Sequence, residues 1–506
     1  MELTPGMEWP PKLYRPAQDT VEHDRAWLLG EPHHAEDDDR ARPFTSRAQF
    51  NGGIVGATAR GFLGRPPTPN RRGTAAITKH LPVAAELTET IGDLLFGNAV
   101  QVTAEDWAPT TTAALADMVD SDGFTADMVA AGARCSALGW EFGRLVWNTQ
   151  VSPHPWIEWV PADRAYAHFE WGRLSEVTFV DEFQDGSDYY RWTQTHRVGH
   201  IEHTLWKGTD TSLGMAVPFT DRPETAHLAD EVEDGTIIPT GIDLLTAVMV
   251  PNREANPAWD GNPQLRYYGR SDIQFGGGLW ADIDRIYTDF VHEVDSARAR
   301  LLVSEDYLQT LTPGEGSVFD WFRDVYPLGA TKDERGTIER VQFDIRVDAY
   351  LQAIEFATLR AVGSVGLSPM TVGFEQAGGM TATEIRARSE KTTRTWRARS
   401  RYWRAGLQQI VTAWGHLDAV LNGQSVPQSR AKISMQEPIQ DTDFDRARTV
   451  RELRDSGAAS IRHLVKRLHP EWGDDEIMAE VEEIRRDQGV IVDPFATQPD
   501  TYPLGD

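Results

Sequence analysis

The residues with the clearest chemical meaning are a run of cations on one predicted helix: Arg386, Arg388, Lys391, Arg394, Arg397, Arg399, Arg401 and Arg404, with Glu390 the only acid among them. The chain as a whole has a net charge of -27, so everything outside this helix is more acidic than the total implies. Such segregation sets one element against something anionic, either nucleic acid or the acidic surface of a neighbouring copy. The plain alternative is a solvated helix face. The helix is entered through Val372-Gly373-Phe374-Glu375-Gln376-Ala377-Gly378-Gly379. Glycines there open backbone states closed to other residues, while Met370 and Phe374 add uncharged bulk.

Other patterns that could do chemistry are weak or missing. No Walker-type phosphate loop, dinucleotide-binding GxGxxG, zinc-protease HExxH, CxxC pair or GxSxG nucleophile elbow occurs. His33 and His34 stand beside Glu36-Asp37-Asp38-Asp39, where adjacent side chains in an acidic arm are better read as solvated than as metal ligands. Gly276-Gly277-Gly278 at a helix start could cradle a phosphate, but with no preceding strand and no lysine, close helix packing is the better reading. Carboxylate pairs such as Asp181 and Glu182 are what any acidic chain shows. No cofactor, no metal and no catalytic residue are expected.

At 506 residues the chain exceeds a single core, so two or more units are expected. No apolar stretch reaches membrane-spanning length, and the first residues lack the pattern of a secretory signal. The single cysteine, Cys135, rules out an intrachain disulfide and reads as a small buried residue made in a reducing cytoplasm. Seventeen tryptophans point to large aromatic packing surfaces or interfaces.

The elements that must position the basic helix follow from periodicity. Residues 1–75, rich in Pro, Arg, Asp and Gly, read as a loosely packed arm. Helices are predicted over about 81–96 and 125–138, and alternating runs between Gly143 and Gly208 read as antiparallel strands and hairpins. A long helix opens at Ser271-Asp272, with Leu279, Ile283, Ile286, Phe290, Val294, Ala297 and Leu301 as its stripe, a rod of about 45 Å. Turns and short strands fill 304–346. A returning helix over 347–365 places Leu351, Ile354, Thr358, Ala361 and Val365 on one side and can pair antiparallel with the first. The basic helix then ends in a packing seam of Trp403, Leu407, Ile410, Trp414, Leu417 and Leu421. Two shorter helices, about 444–456 and 474–487, close the chain.

This order resembles the portal proteins of tailed bacteriophages, those of phages infecting actinobacteria most closely. The resemblance covers roughly residues 75 to 490. It rests on five stretches in sequence: Ile91-Gly92-Asp93-Leu94-Leu95-Phe96-Gly97, Phe169-Glu170-Trp171-Gly172-Arg173-Leu174, Ile201-Glu202-His203-Thr204-Leu205-Trp206-Lys207-Gly208, Tyr268-Gly269-Arg270-Ser271-Asp272-Ile273 and Met380-Thr381-Ala382-Thr383-Glu384-Ile385. The resemblance implies an α+β portal fold: an arm (1–75), a mixed wing (76–270), stem helices (271–303 and 347–365), a small α/β clip (304–346), a channel loop (366–380), a long kinked wing helix (381–423) and a helical crown (424–506). It implies a dodecameric ring at one capsid vertex of the virion, assembled in the host cytoplasm. Double-stranded DNA would pass without sequence specificity. The terminase large subunit, a head-tail adaptor, the major capsid protein and scaffold would be partners. On that analogy Met370, Phe374, Glu375, Gly378 and Gly379 belong to the channel loop. Leu279, Ile283, Ile286, Phe290, Leu351 and Ile354 pack the stem ring, and Arg386, Arg394, Arg397 and Arg401 contact a neighbouring subunit or DNA.

In so acidic a protomer, intersubunit ion pairing ranks above DNA contact for these arginines. Two rivals come from other classes. An acidic, tryptophan-rich carbohydrate hydrolase would use aromatic platforms and a carboxylate pair, and a minor structural protein would have no channel.

Overall fold

The structure, a computed structural model, describes residues 3–31, 79–230, 232, 236–253, 256–297, 300–304, 325–328, 338–341, 344–373, 382–438, 443–469 and 472–487. It mixes helix and sheet as an α+β chain and divides into two compact units. The first is Met1–Ala377 with Arg388–Pro438, the second Gly378–Ala387 with Ile439–Asp506.

The first surprise lies near the N-terminus. Residues read as part of a loose arm form helix α1 (Arg15–Leu29), which buries Ala17, Val21 and Trp27 and closes on Gly30 in the left-handed region. Its remaining faces carry Arg15, Asp19, Glu22, His23 and Arg25, so its apolar stripe is too narrow to stand out in sequence. Helices α2 (Val83–Phe96), α3 (Pro109–Val119) and α4 (Asp122–Leu138) follow. The first and last are close to expectation, whereas α3 was not foreseen. Gly92 lets α2 cross α4 closely, since a Cβ there would lie 2.5 Å from the Val129 carbonyl oxygen.

Strand β1 (Gln101–Thr103) is completed only by β14 (Lys432–Ser434), more than 300 residues later. Strand β2 (Trp140–Val146) lies between β3 (Trp156–Pro161) and β10 (Ala247–Pro251). The larger sheet is antiparallel throughout: β4 (Ala165–Glu170), β5 (Arg173–Asp185), β6 (Asp188–Arg197), β7 (His200–Gly208) and β8 (Met215–Val217), with β9 (Ile237–Pro239) also on β7. The alternating runs of the sequence lie within these strands.

The long helix expected from Ser271 through Leu301 is interrupted and shorter. It divides into α5 (Asp272–Gly276) and α6 (Gly278–Ser296) at Gly277, whose φ of 51° and ψ of −133° suit only glycine. Trp280 lies over the break, leaving no room for a Cβ on Gly276, and its indole N–H caps the Ile273 carbonyl at 2.8 Å. Leu301 therefore sits not on a helix but in β11 (Arg300–Ser304), paired parallel to β12 (Val325–Leu328) and antiparallel to β13 (Ile338–Val341). Helix α7 (Val347–Val365) runs antiparallel to α6: the Phe290 and Tyr350 rings lie 5.6 Å apart, and Glu293 accepts from Arg346 at 2.6 Å and from Tyr350 at 2.7 Å.

Helix α8 (Ala382–Leu421) is one continuous helix of 40 residues. Trp403, Leu407, Ile410, Trp414 and Leu417 of its seam are buried, while Leu421 is exposed. Trp403 meets Phe96 and Trp159 edge to face, and Trp414 donates to the Pro155 carbonyl. The tryptophans thus mostly fill the core. In the second unit α9 (Asp443–Asp455) packs against α10 (Ile461–Leu468), and α10 and α11 (Asp474–Asp487) enclose Val465, Ile477 and Val481. Helix α10, too short for a clear period, was not expected.

Candidate functional site

The start of α5 is where the sequence's charge and its helices meet. Ser271 is the N-cap, its hydroxyl accepting the Gln274 N–H at 3.1 Å and donating to Asp24 of α1 at 2.5 Å. Asp272 follows, wholly buried, and its two carboxylate oxygens receive the Arg399 guanidinium from α8 at 2.8 and 2.9 Å. Arg253 adds a third contact at 3.2 Å, and Ser136 and Asn252 donate at 2.6 and 3.0 Å. Burial alone would raise the Asp272 carboxyl. The guanidiniums of Arg399 and Arg253 and the Ser136 hydroxyl outweigh it and hold the group below its ordinary range.

The rest of the Tyr268–Ile273 stretch is equally committed. Tyr268 accepts the Ala167 N–H at 2.8 Å, and Gly269 leaves no space for a Cβ against the Gly139 carbonyl. Arg270 and Arg253 lie over the Phe275 ring, each 4.2 Å from its centroid, and Ile273 is buried. The stretch welds α1, α4, α5 and α8 into one joint beneath the α6–α7 pair.

The same joint closes the C-terminal end of α7. Helix α7 stops at Gly366, whose φ of 90° makes the left-handed C-cap. Its last carbonyls are met by cations, as the helix dipole favours: Arg253 and Arg399 donate to Val365, and Lys391 to Gly363 at 2.6 Å. Thr395 donates to Gly366 at 2.7 Å, and Thr392 accepts the Ser368 N–H at 2.9 Å. Thr392, Thr395 and Arg399, spaced three and four apart, are thus the inward face of the basic helix, with Lys391 at its edge. That role was missed in sequence, where all its cations read alike; the 3–4 spacing of hydroxyls and cations was the available signal.

The outward face is different. Glu390, Arg394, Arg397, Arg401 and Arg404 are exposed at a spacing of three and four residues. Arg397 forms a two-pronged pair with Glu437 of its own chain, at 2.6 and 3.1 Å. No ion pair holds Arg394 or Arg401 among the described residues. Arg386 lies in the early turns of α8.

The six expected stem residues divide along the helices. Ile283 is buried, and Leu279 and Ile354 pack against the chain's own core. Ile286 and Phe290 are half-covered, whereas Leu351 is 53% exposed. Val294 and Val347 continue this uncovered end, and Phe356, 67% exposed, opens a second side of α7. Met370 sits half-buried in the short turn Pro369–Val372, and Phe374, Glu375, Gly378 and Gly379 lie outside the described residues, as do His33 and His34. Cys135 is buried with its thiol pushed up by that burial. Among the described residues no three His, Cys, Asp or Glu are grouped to hold a metal, and no helix is long and apolar enough to cross a membrane.

The architecture is thus that of an α+β chain with a projecting apolar seam and a basic helix face. No known family's sequence profile matches it, and no curated protein does. Among solved structures it is similar to a chain described as the neck of a native GTA particle computed with C12 symmetry, at 11% identity and a TM-score of 0.37, over 83% of this chain and 95% of that one.

Proposed function

We propose that the chain is the subunit of a portal-type ring at one capsid vertex, a channel through which genomic DNA is packaged and later leaves. The observation that carries this reading is the uneven covering of the α6–α7 seam. Near the Asp272 joint the chain covers the stripe itself; toward Val294, Val347 and Leu351 it leaves the stripe bare. A leucine or phenylalanine side chain gains about 1.5–3 kcal/mol on full burial, so a neighbouring copy that covers the seam is favoured. Repeated around a closed ring, that contact satisfies every copy equally.

The strongly acidic balance suits a lumen that repels phosphate, so that DNA slides without sticking, while the free arginines of α8 supply pairing to an acidic neighbour. In this reading the chain hydrolyses nothing and binds no cofactor. Packaging energy comes from a separate terminase ATPase docked on the 304–346 excursion, and a head-tail adaptor and the capsid shell complete the vertex. Electron microscopy of the purified chain is the test: rings of uniform copy number with a central hole are expected. Only monomers across a range of salt would overturn the proposal.

A further inference from the structure

The hairpin joining β4 and β5 turns through two residues only, Trp171 and Gly172, because Glu170 pairs with Arg173. Both have left-handed backbone, with φ of 51° and 80°, the signature of a type I′ turn. Asparagine or aspartate normally precedes the glycine in such turns, since short polar side chains tolerate that backbone. Here the position holds a tryptophan that is 101% exposed. Strained backbone and a bare indole thus fall on the same residue, and neither benefits an isolated subunit.

The tip is also braced from behind. Phe169 lies against Tyr267 with ring centroids 4.6 Å apart, and Gly172 rests over the Tyr267 hydroxyl. An aromatic anchor held ready in this way loses little freedom on docking.

Elsewhere in the same unit, β1 and α3 enclose an open cleft of about 260 Å³. Val102, Leu115, Ala116 and Val119 form the apolar part of its lining, Thr103 and Thr112 the polar part, and Asp120 stands at its rim. The charges beside knob and hole are opposite. Arg173 at the tip is exposed, as is Asp120 at the cleft, and neither has an ion-pair partner among the described residues.

We propose that Trp171 of one subunit inserts into the β1–α3 cleft of the next, with Arg173 set against Asp120. A knob and a hole on separate patches of one chain make a head-to-tail contact, which is the kind that closes into rings. The inference rests on the ring reading above and adds to it a specific contact.

Two variants test it. Trp171→Asn suits the turn, so the monomer's melting temperature should hold or rise, while the concentration needed for half-assembly should increase about tenfold or more. Trp171→Cys combined with Ala116→Cys should give a ladder of covalent multimers under mild oxidation, absent from either single variant; the native Cys135 is buried and does not compete. Rings that form without the ladder, or Trp171→Asn rings that assemble like the wild type, would overturn the contact and leave the ring reading standing. A wild-type chain that stays monomeric would overturn both.

Discussion

Asp272 keeps its charge out of water only because two guanidiniums share it. Asp272→Asn preserves the shape and the contacts with Ser136 and Asn252 but leaves Arg399 and Arg253 without their buried counter-charge, which should cost about 3–5 kcal/mol of stability at neutral pH. The folded carboxyl titrates below the unfolded value of about 3.9, so its contribution is fully present above that value and is lost as pH falls through the folded one. Urea denaturation of both proteins should therefore show a wide gap at about pH 7 and a narrower one at about pH 3. An equal gap at both would remove charge as the explanation. Part of this site was legible beforehand: Ser271-Asp272 announces a helix start by its capping chemistry alone. The pairing was not, because Arg399 lies 127 residues further on and nothing in its local sequence separates it from the cations that face outward.

At the scale of elements, the uncovered half of the α6–α7 seam gives the cleanest handle on assembly. Ile286 and Phe290 are poor probes, since both are half-covered within the chain and Phe290 packs on Tyr350, so a charge there would disturb the subunit itself. Leu351 and Phe356 are exposed in the subunit. Leu351→Asp with Phe356→Asp should leave the melting temperature nearly unchanged and yield monomers in mass photometry, each side chain otherwise being worth about 1.5–3 kcal/mol when covered. Rings of normal size from this double variant would show that the seam is not the interface. Helix α7 itself was plain in sequence because its stripe is regular and Gly366 ends it. The division at Gly277 was hidden: the apolar period continues through Leu279 and Ile283, and the interruption depends on Trp280 folding back over Gly276. Helix α1 was hidden for the opposite reason, a polar surface around a narrow buried stripe.

For the whole molecule, the proposed function asks how one acidic body would both close on itself and let a polyanion pass. The exposed face of α8 bears on the first part. If Arg394, Arg397 and Arg401 pair with acidic neighbours, replacing all three by Gln should weaken assembly most at low salt, where charge pairing is least screened. Unchanged assembly with reduced DNA retention in filled heads would instead assign them to DNA. On that proposal the second part would fall to the segment between α7 and α8. Its root is fixed, because Leu367 is buried and Ser368 and Thr371 both bond to the Thr392 hydroxyl, at 2.9 and 2.7 Å. Beyond that root, Gly373 adopts a left-handed φ of 82°, and further glycines at 378 and 379 precede the basic helix. Deleting residues 371–378 removes the Thr371 hydroxyl contact and the partly buried Val372 but leaves the buried Leu367 and the Ser368 contact in place, so ring assembly should survive. Packaging or retention of DNA should fail, because the glycine-bearing segment can follow a duplex whose symmetry does not match the ring. Deletion rings that package and retain full genomes would end this division of labour, as would ATPase activity tracking with the purified chain, which carries no phosphate-binding motif to supply it.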